Sequence, residues 1–438
     1  MLKVFYITFG CKVNSYETEC IKSIMKKEGF EKASEYKTAD IVILNSCTVT
    51  ASGDSRMISA FNKIKRENPN AITVITGCYP QAFPEDAKKL KADIITGTKN
   101  KHQIPEMILE FLTNQKNAVK IDSYNKNDLY DNMTCCEFPD NTRAFIKIQD
   151  GCNCFCSYCI IPYARGRCRS KSIDVLKKEV TKIAENGIKE IVLAGINLAF
   201  YGKEYNFTLA DAVEICCSID KIERVRLGSL EPEMITDEQL QRFAMQEKFC
   251  PQFHLSLQSG CNRTLKAMNR KYTAEEYAKL VQRIRNVFPI CNITTDIMVG
   301  FPQETDEDFN ESLKFAESIN FGKIHVFRYS RRKGTVADKM NGQISENIKS
   351  YRWHKMNETA SESQKNFLKS RIGMTLPVLF EREKDTDFHN GYTPDYTYVK
   401  IPEKNFKKSL RNSIFYVKII SSTSDFCIGE IVDKQTIK

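Results

Sequence analysis

The chain has 438 residues, of which 42% are hydrophobic, and its Lys and Arg exceed its Asp and Glu by ten. This length is too great for one ordinary hydrophobic core, and we expect three domains. Apolar runs such as 41–44 and 191–194 are far shorter than the roughly 20 residues of a membrane helix, and the first residues lack a secretory pattern. We therefore expect a soluble, cytoplasmic protein with no membrane partner, whose positive charge favours an anionic partner.

Residues 1–125 alternate short β-branched runs with amphipathic stretches, which predicts an open, doubly wound α/β domain with a parallel sheet. The predicted strands cover 3–9, 41–45, 72–76 and 93–96, and the predicted helices cover 16–28 and 57–67. The segment 122–140 is rich in Asp and Asn and has a proline near its end, so it predicts a linker.

Residues 141–371 repeat the alternation six times, which predicts a partial (βα)6 barrel whose active site lies at the carboxyl ends of the strands. The predicted strands cover 144–148, 190–194, 224–227, 253–257, 293–298 and 324–329, with helices at 173–185, 274–287 and 306–318. A long polar helix at 345–370 leaves the barrel. Residues 372–438 contain strand-like runs at 376–380, 396–401, 415–420 and 426–432, which favour a small β-barrel.

The seventeen cysteines cannot be assumed to form disulfides, because the reducing cytosol keeps thiols free and no export signal is seen. Thiolates held for a metal explain their number better. The alternative is that many are small buried hydrophobic residues, and this is our interpretation of those without metal-ligand spacing. They are Cys20, Cys216, Cys217, Cys250, Cys261 and Cys291.

One group of cysteines follows the first barrel strand directly. Cys152, Cys156 and Cys159 have the spacing C-x3-C-x2-C, which places three thiolates on one loop. Three thiolates can hold three irons of a 4Fe-4S cluster and leave the fourth iron open for a ligand. A structural zinc site is the alternative, but such sites generally pair two C-x2-C dipeptides and no second one occurs here. Cys154 lies between these residues and is not assigned a metal.

The spacing and its place after the first barrel strand resemble the radical-SAM superfamily. The resemblance implies that the open iron binds S-adenosylmethionine, that Tyr158 lies against the cofactor adenine, and that Gly195 and Asn197 lie near its methionine amino group. Polar residues that end or closely follow later strands should also surround the barrel mouth as cofactor-binding residues. They are Ser229, Glu231, Gln258 and Asp296.

A second group of cysteines is spread over the N-terminal domain. Cys11, Cys47 and Cys78 each stand just past the carboxyl end of a predicted strand. In a parallel sheet these ends lie along one edge, where ligands of such folds bind. Three converging thiolates predict a second 4Fe-4S cluster with an open iron. The alternative is three unrelated buried cysteines.

Six motifs together resemble the radical-SAM methylthiotransferase family over nearly the whole chain. They are GCKVN at 10–14, NSCTVT at 45–50, GCY at 77–79, the segment 152–169, LSLQSG at 255–260 and MNRKYT at 268–273. Ser46 and Cys168 depart from the commoner family residues, but neither is a predicted ligand. The resemblance implies an N-terminal cluster domain, a radical-SAM barrel and a C-terminal RNA-binding module of the TRAM type. CKVN and CTVT resemble the branch that acts on N6-threonylcarbamoyladenosine beside the tRNA anticodon.

This family resemblance implies that both cysteine groups are catalytic and metal-binding. The barrel cluster would cleave S-adenosylmethionine to methionine and a 5′-deoxyadenosyl radical. A second S-adenosylmethionine would methylate sulfur at the N-terminal cluster, and the methylthio group would pass to carbon 2 of an adenine splayed out of the RNA. An external electron donor and a sulfur source are implied as partners.

The segment 400–418 contains six cations against one acid, with aromatic residues between them. Cations that meet phosphates and aromatics that stack on bases are what an RNA-binding β-barrel needs, so tRNA is the predicted partner. A solvated charged face is the alternative. The residues are Lys400, Lys404, Lys407, Lys408, Arg411 and Lys418, with Phe406, Phe415 and Tyr416.

Other functions remain open at this stage. Related enzymes of the family act on isopentenyladenosine in tRNA or on an aspartate of a ribosomal protein, and the ribosomal branch predicts a less basic C-terminal module. A radical-SAM enzyme with a small substrate would leave the basic β-domain unexplained. A non-enzymatic, metal-stabilised RNA-binding protein would not need two sites with an open iron.

Overall fold

The N-terminal unit is a sheet of six parallel strands in the order β2-β1-β3-β4-β5-β6, seen in a computed structural model that describes residues 1–138, 141–382, 387–403 and 409–432. Every residue of β3 is buried, as expected for a parallel strand covered on both faces. The strands are β1 Lys3–Thr8, β2 Glu31–Lys32, β3 Ile41–Ser46, β4 Ile72–Gly77, β5 Ile94–Thr96 and β6 Ala118–Lys120. The helices are α1 Lys12–Lys27, α2 Ala51–Glu67, α3 Cys78–Ala82, α4 Pro84–Lys89 and α5 Ile104–Asn114.

Helices cover both faces of this sheet, so the predicted doubly wound α/β fold is confirmed. α1 and α5 pack on one face through Ile21 and Ile108, and α2 packs on the other through Phe61. α1 and α2 begin four and six residues earlier than predicted, at Lys12 rather than 16 and at Ala51 rather than 57. The early start of α2 has a local cause, because the Thr50 hydroxyl accepts a hydrogen bond from the Gly53 amide at 3.2 Å and caps the helix.

The central unit contains two hydrogen-bonded sheets, β10-β9-β7-β8 and β11-β12-β13-β14, in which only the short β8 runs antiparallel to its neighbour. The six predicted barrel strands correspond to β7, β9, β10, β12, β13 and β14, and the predicted partial barrel is confirmed. The strands are β7 Arg143–Asp150, β8 Arg169–Ser170, β9 Glu190–Gly195, β10 Arg224–Leu227, β11 Ser229–Leu230, β12 Gln252–Leu255, β13 Asn292–Val299 and β14 Lys323–Arg328. The helices are α6 Ile161–Arg165, α7 Ile173–Glu185, α8 Leu209–Cys217, α9 Asp237–Ala244, α10 Asn262–Ala267, α11 Ala274–Val287, α12 Asp306–Ile319 and the exit helix α13 Glu346–Lys369. Within the described ranges, no helix combines the length and apolarity needed to cross a bilayer.

The predicted linker is part of the barrel core. Its described residues, up to 138, form no helix or strand, yet four of them are buried, and three of these four pack in the same core cluster as Tyr16 and Cys20 of α1. The Tyr16 hydroxyl is 2.8 Å from the carbonyl oxygen of Met133 and 2.7 Å from the carboxylate of Glu179. The segment therefore fastens the N-terminal unit to the barrel. Its buried residues are Tyr130, Met133, Cys135 and Phe138.

The C-terminal unit is a closed barrel of five strands in the order β15-β16-β17-β19-β18, which confirms the predicted small β-barrel. The strands are β15 Thr375–Phe380, β16 Phe388–Tyr392, β17 Tyr398–Pro402, β18 Ile414–Ser422 and β19 Cys427–Ile431. The prediction missed β16 and began β17 two residues early, because Tyr396 has a φ of 66° and ends the preceding turn. Lys404, Phe406, Lys407 and Lys408 of the predicted basic segment lie outside the described residues.

A buried group of charges joins the C-terminal barrel to the amino ends of the central strands. Arg226 is 3.0 Å from Glu190, and its guanidinium donates to the carbonyl oxygens of Pro394 and Thr393 at 2.8 and 3.3 Å. Burial raises the pKa of Glu190, but the surrounding arginines outweigh it and lower that pKa to about 2. Buried, desolvated charges therefore hold the C-terminal barrel against the central unit.

We expect Arg226→Met to destabilise the protein by about 3–5 kcal/mol, because it leaves Glu190 with one partner fewer in a buried site. Urea denaturation of the intact protein, followed by circular dichroism, should show the loss as a lower midpoint. Lys88→Met is the control, since the Lys88 and Glu85 side chains are 48% and 76% exposed and such pairs contribute at most about 1 kcal/mol. Equal midpoints for the two variants would contradict this account of the docking.

Candidate active site between two cysteine loops

The three N-terminal cysteines lie together at the carboxyl edge of the first sheet. β3 pairs in parallel with both β1 and β4, so Cys11, Cys47 and Cys78 follow three adjacent strands. Two glycines permit this close approach. A Cβ atom at Gly10, which has a φ of +99°, would lie 2.6 Å from the Cys47 sulfur, and one at Gly77, which has a φ of +104°, would lie 2.7 Å from a backbone nitrogen.

The electrostatics of this trio favour a bound cationic group. Burial raises the pKa of the Cys47 thiol to about 12, and the neighbouring Cys78 and Cys11 thiols add to the effect. Burial also raises the pKa of Cys78, while the Arg165 guanidinium opposes that shift. Adjacent buried thiols ionise together only when positive charge compensates them, and iron supplies such charge to its thiolate ligands. The donor set therefore fits a thiolate-bound cluster.

Neither cysteine group has the spacing of a site for one metal ion. Among the residues with described positions, no three His, Cys, Asp or Glu side chains are grouped closely enough to share a single ion. A cubane cluster has a different requirement, because each cysteine binds a separate iron.

The barrel cysteines lie on the loop between β7 and α6, where polar groups hold their sulfur atoms. The Cys152 sulfur accepts a hydrogen bond from the Cys154 amide at 3.4 Å, and the Cys156 sulfur accepts one from Arg270 at 3.2 Å. The amide nitrogen of Asn197 is 3.8 Å from the Cys152 sulfur and 3.3 Å from that of Cys154. Hydrogen bonds to ligating sulfurs orient them and tune the reduction potential of a bound cluster.

Two adjoining cavities open between the cysteine loops. The barrel cavity, of about 550 Å³, is lined by Cys11 from the N-terminal edge and by Gly195, Ser229 and Asp296 from the barrel strands. The loop cavity, of about 180 Å³, is lined by Cys159, Tyr158, Gln258 and Asp296 together with Val49 and Thr50, which follow Cys47. Asp296 and Phe327 line both cavities. Residues of both cysteine loops therefore line two cavities that meet at Asp296 and Phe327.

Most of the predicted cofactor-binding residues line the two cavities, and two lie elsewhere. Five of them line these cavities, namely Tyr158, Gly195, Ser229, Gln258 and Asp296. Asn197 lies beside the barrel cysteines, and its buried side-chain oxygen has no hydrogen-bond partner in the described part of the chain. Glu231 forms an ion pair with Arg270 and does not line either of these two cavities, so its cofactor-binding role stays a prediction. An orphaned acceptor beside the cysteine loop suits a cofactor with an amino group.

Arg165 is one of two site residues that the sequence did not reveal. Its Nε donates to the Cys78 sulfur at 3.3 Å, its Nη1 contacts Glu17 at 2.9 Å and Asp150 at 3.1 Å, and its Nη2 contacts Asn14 at 2.7 Å. One guanidinium thus joins the N-terminal cysteine edge to the barrel. Arg165 stands within the family-like segment 152–169, but a single sequence gives no sign that this cation is buried.

The charges around Glu17 compensate one another. Burial raises the pKa of the Glu17 carboxyl, but Arg165, Lys101 and Lys147 outweigh it and hold that pKa well below its ordinary value. The Lys101 and Lys147 ammonium groups are 2.5 and 2.8 Å from the Glu17 carboxylate. Arg270, the other missed residue, similarly pairs with Glu231 while it donates to the Cys156 sulfur.

The partial barrel, its cysteine loop and the cavity at its mouth define a radical-SAM enzyme. A model of the Radical SAM superfamily matches residues 146–316, and a model of the Uncharacterized protein family UPF0004 matches residues 3–97. Among solved structures, the radical S-adenosylmethionine methyltransferase TsrM from Kitasatospora setae, with cobalamin and a [4Fe-4S] cluster bound, has a TM-score of 0.55. The match covers 76% of each chain at 13% identity, so it shows the fold alone.

Relatives of similar sequence show which family of radical-SAM enzymes this chain belongs to. The threonylcarbamoyladenosine tRNA methylthiotransferase MtaB of Bacillus subtilis (strain 168) is 34% identical to this chain. The match covers 99% of this chain and 97% of the relative. The tRNA-2-methylthio-N(6)-dimethylallyladenosine synthase of Pelotomaculum thermopropionicum is 36% identical, with 88% of each chain covered. This chain belongs to the radical-SAM methylthiotransferase family. It is an enzyme that uses S-adenosylmethionine and a 4Fe-4S cluster.

We expect Arg165→Met to lower the stability of the protein by about 3–5 kcal/mol, because Glu17 and Asp150 each lose a buried cationic partner. Urea denaturation of the protein without clusters isolates this effect from metal binding. Arg242→Met serves as control, since Arg242 pairs with partly exposed Asp211 and Glu214 at the surface. A smaller loss for Arg165→Met than for the control would show that the network does not join the two units.

Proposed function

We propose that this enzyme transfers a methylthio group to carbon 2 of N6-threonylcarbamoyladenosine beside the tRNA anticodon. In this proposal, Cys152, Cys156 and Cys159 hold the radical-SAM cluster, and Cys11, Cys47 and Cys78 hold a second 4Fe-4S cluster that carries the sulfur. The observation that carries the proposal is the pair of adjoining cavities between the two loops, of which one is lined by Cys11 and the other by Cys159. A base placed there would meet both groups.

The charge of the barrel cavity supports the choice of substrate. Sequence identity does not separate the branches, since relatives named for either nucleoside are 34–36% identical to this chain. The charged residues that line the cavity are four cations, Lys12, Arg143, Arg226 and Lys323, against the single acid Asp296. A threonylcarbamoyl group carries a carboxylate, whereas a dimethylallyl group is apolar. The cationic lining therefore favours the threonylcarbamoyl substrate.

The side chains of the site would position the reactants and exclude water. When bound, the clusters and S-adenosylmethionine supply the electron transfer, the sulfur and the methyl group that side chains cannot provide. The orphaned Asn197 oxygen would accept a hydrogen bond from the cofactor amino group, and Tyr158 would lie beside its adenine. Apolar walls that include Phe145 and Val192 would keep water from the splayed base.

The RNA partner would contact the C-terminal barrel. The predicted basic and aromatic segment begins on β17 and ends on β18, where Lys418 is exposed. tRNA, an external electron donor and a sulfur source complete the set of partners that the proposed reaction requires.

The two cysteine triads should fail differently when one member is changed. Cys156→Ala should abolish both 5′-deoxyadenosine formation and methylthiolation, because it removes a ligand from the radical-SAM cluster. Cys47→Ala should still form 5′-deoxyadenosine with a strong reductant, yet give no methylthioadenosine on tRNA. Mass spectrometry of both products, with iron content as a folding check, measures the difference, and Cys291→Ala is the control. Normal methylthiolation by folded Cys47→Ala would refute the sulfur-carrying role.

The enzyme should act on tRNA that carries threonylcarbamoyladenosine and give little product on tRNA that carries isopentenyladenosine. The physical reason is that an apolar substituent leaves the two lysines of the barrel cavity without a partner, whereas its two arginines already pair with Glu190. Digestion of the treated tRNA followed by nucleoside mass spectrometry measures both products. Equal turnover, or a preference for isopentenyladenosine, would overturn the choice of substrate and leave the family unchanged.

A further inference from the structure

Lys12 is a cation of the barrel cavity placed directly beside a cysteine of the site. It is the first residue of α1, immediately after Cys11, and both residues line the cavity. The opposite wall is formed by barrel strands and includes Asp296 and Arg226. Any group that reaches the Cys11 edge from the barrel side therefore passes close to the Lys12 ammonium.

The Lys12 ammonium differs from the arginines of the barrel cavity because it lacks a partner among the described residues, and it differs from Lys323, at the start of β14, because it adjoins Cys11. No acceptor or carboxylate contacts it within the residues described by the structure. By contrast, Arg143 and Arg226 pair with Glu190, and Lys101 and Lys147 pair with Glu17. A cation that lines a cavity without a partner is suited to an anionic ligand.

We propose that Lys12 binds the carboxylate of the threonylcarbamoyl group and thereby selects this substituent at N6. The proposal rests on the proposed function and names the residue that sets its specificity. Carbon 2 and the N6 group lie on the same edge of adenine, separated by N1 and carbon 6. A base whose carbon 2 faces the Cys11 edge therefore carries its N6 substituent into the same cavity.

An unpaired cation favours the threonylcarbamoyl substituent and disfavours the dimethylallyl substituent. A carboxylate buried without a partner is costly, so the threonylcarbamoyl group needs a cation at this place. A dimethylallyl group would instead cover the ammonium and leave it desolvated and unpaired. A site that pairs with a polar group of its substrate discriminates strongly against an analogue that lacks this group. An apolar pocket discriminates much less between similar substrates.

The test compares Lys12→Met and Lys12→Arg in the full-length enzyme carrying its clusters. With tRNA bearing threonylcarbamoyladenosine, Lys12→Met should lose about 10- to 100-fold in kcat/KM, the usual effect of one hydrogen bond to a charged group. On tRNA bearing isopentenyladenosine it should lose nothing or improve. Lys12→Arg keeps the charge and should keep the preference, and Lys88→Met, which changes a surface lysine, should match the wild type.

A binding measurement gives a second readout that does not depend on turnover. Fluorescence anisotropy should show that the wild type binds an anticodon stem-loop with threonylcarbamoyladenosine more tightly than one with plain adenosine. Lys12→Met should bind the two equally. A difference that persists in Lys12→Met would overturn the proposal.

The remaining outcomes separate this proposal from its competitors. A parallel loss of 5′-deoxyadenosine formation without tRNA would mean that Lys12 serves the carboxylate of S-adenosylmethionine. Equal losses on both tRNAs, or lower iron content, would mean a structural role, and turnover only of an aspartate-containing protein would replace tRNA as substrate. Each of these overturns the proposal. If the wild type prefers isopentenyladenosine, the proposed function fails too, whereas a preference that survives Lys12→Met refutes this inference alone.

Discussion

The Arg165 guanidinium contacts both halves of the active site at once, and the geometry of the site depends on it. It reaches the Cys78 sulfur and Asn14 on the N-terminal side, Asp150 on the barrel side, and Glu17 between them. Buried charges are tolerated only when every one of them is paired and hydrogen-bonded. The two units therefore have one relative arrangement that satisfies the network, and this arrangement leaves the cavities between the cysteine loops.

Paired buried charges also hold the structure at the amino ends of the central barrel strands. Glu190 is surrounded by Arg143, Arg224 and Arg226, whose guanidinium groups also reach the C-terminal barrel. The Arg143 guanidinium lies over the rings of Tyr392 and Tyr396, 4.8 and 5.0 Å from their centres. It therefore makes cation–π contacts in addition to its ion pairs. Both neighbouring domains are thus joined to the barrel by polar contacts that are specific in direction.

Against this background of paired charges, two groups beside the cysteines lack a partner among the described residues. The Asn197 oxygen is buried beside the barrel cysteines, and the Lys12 ammonium faces the barrel cavity. Both groups border the space where ligands would bind, so a ligand can supply the missing partner. The first suits the amino group of a cofactor and the second suits an anionic substituent of the substrate.

The sequence by itself determined the α/β architecture, the C-terminal β-barrel, the positions of the six cysteines along the chain and the family. These follow from local signals, namely hydrophobic periodicity and residue spacing, which survive without knowledge of contacts. Only the tertiary structure decided that part of the segment 130–138 is core, that Arg165 and Arg270 contact cysteine sulfurs, and that Glu231 pairs with Arg270. These features depend on side chains far apart in the chain, and whether a charged residue is solvated or buried is set by its neighbours in space.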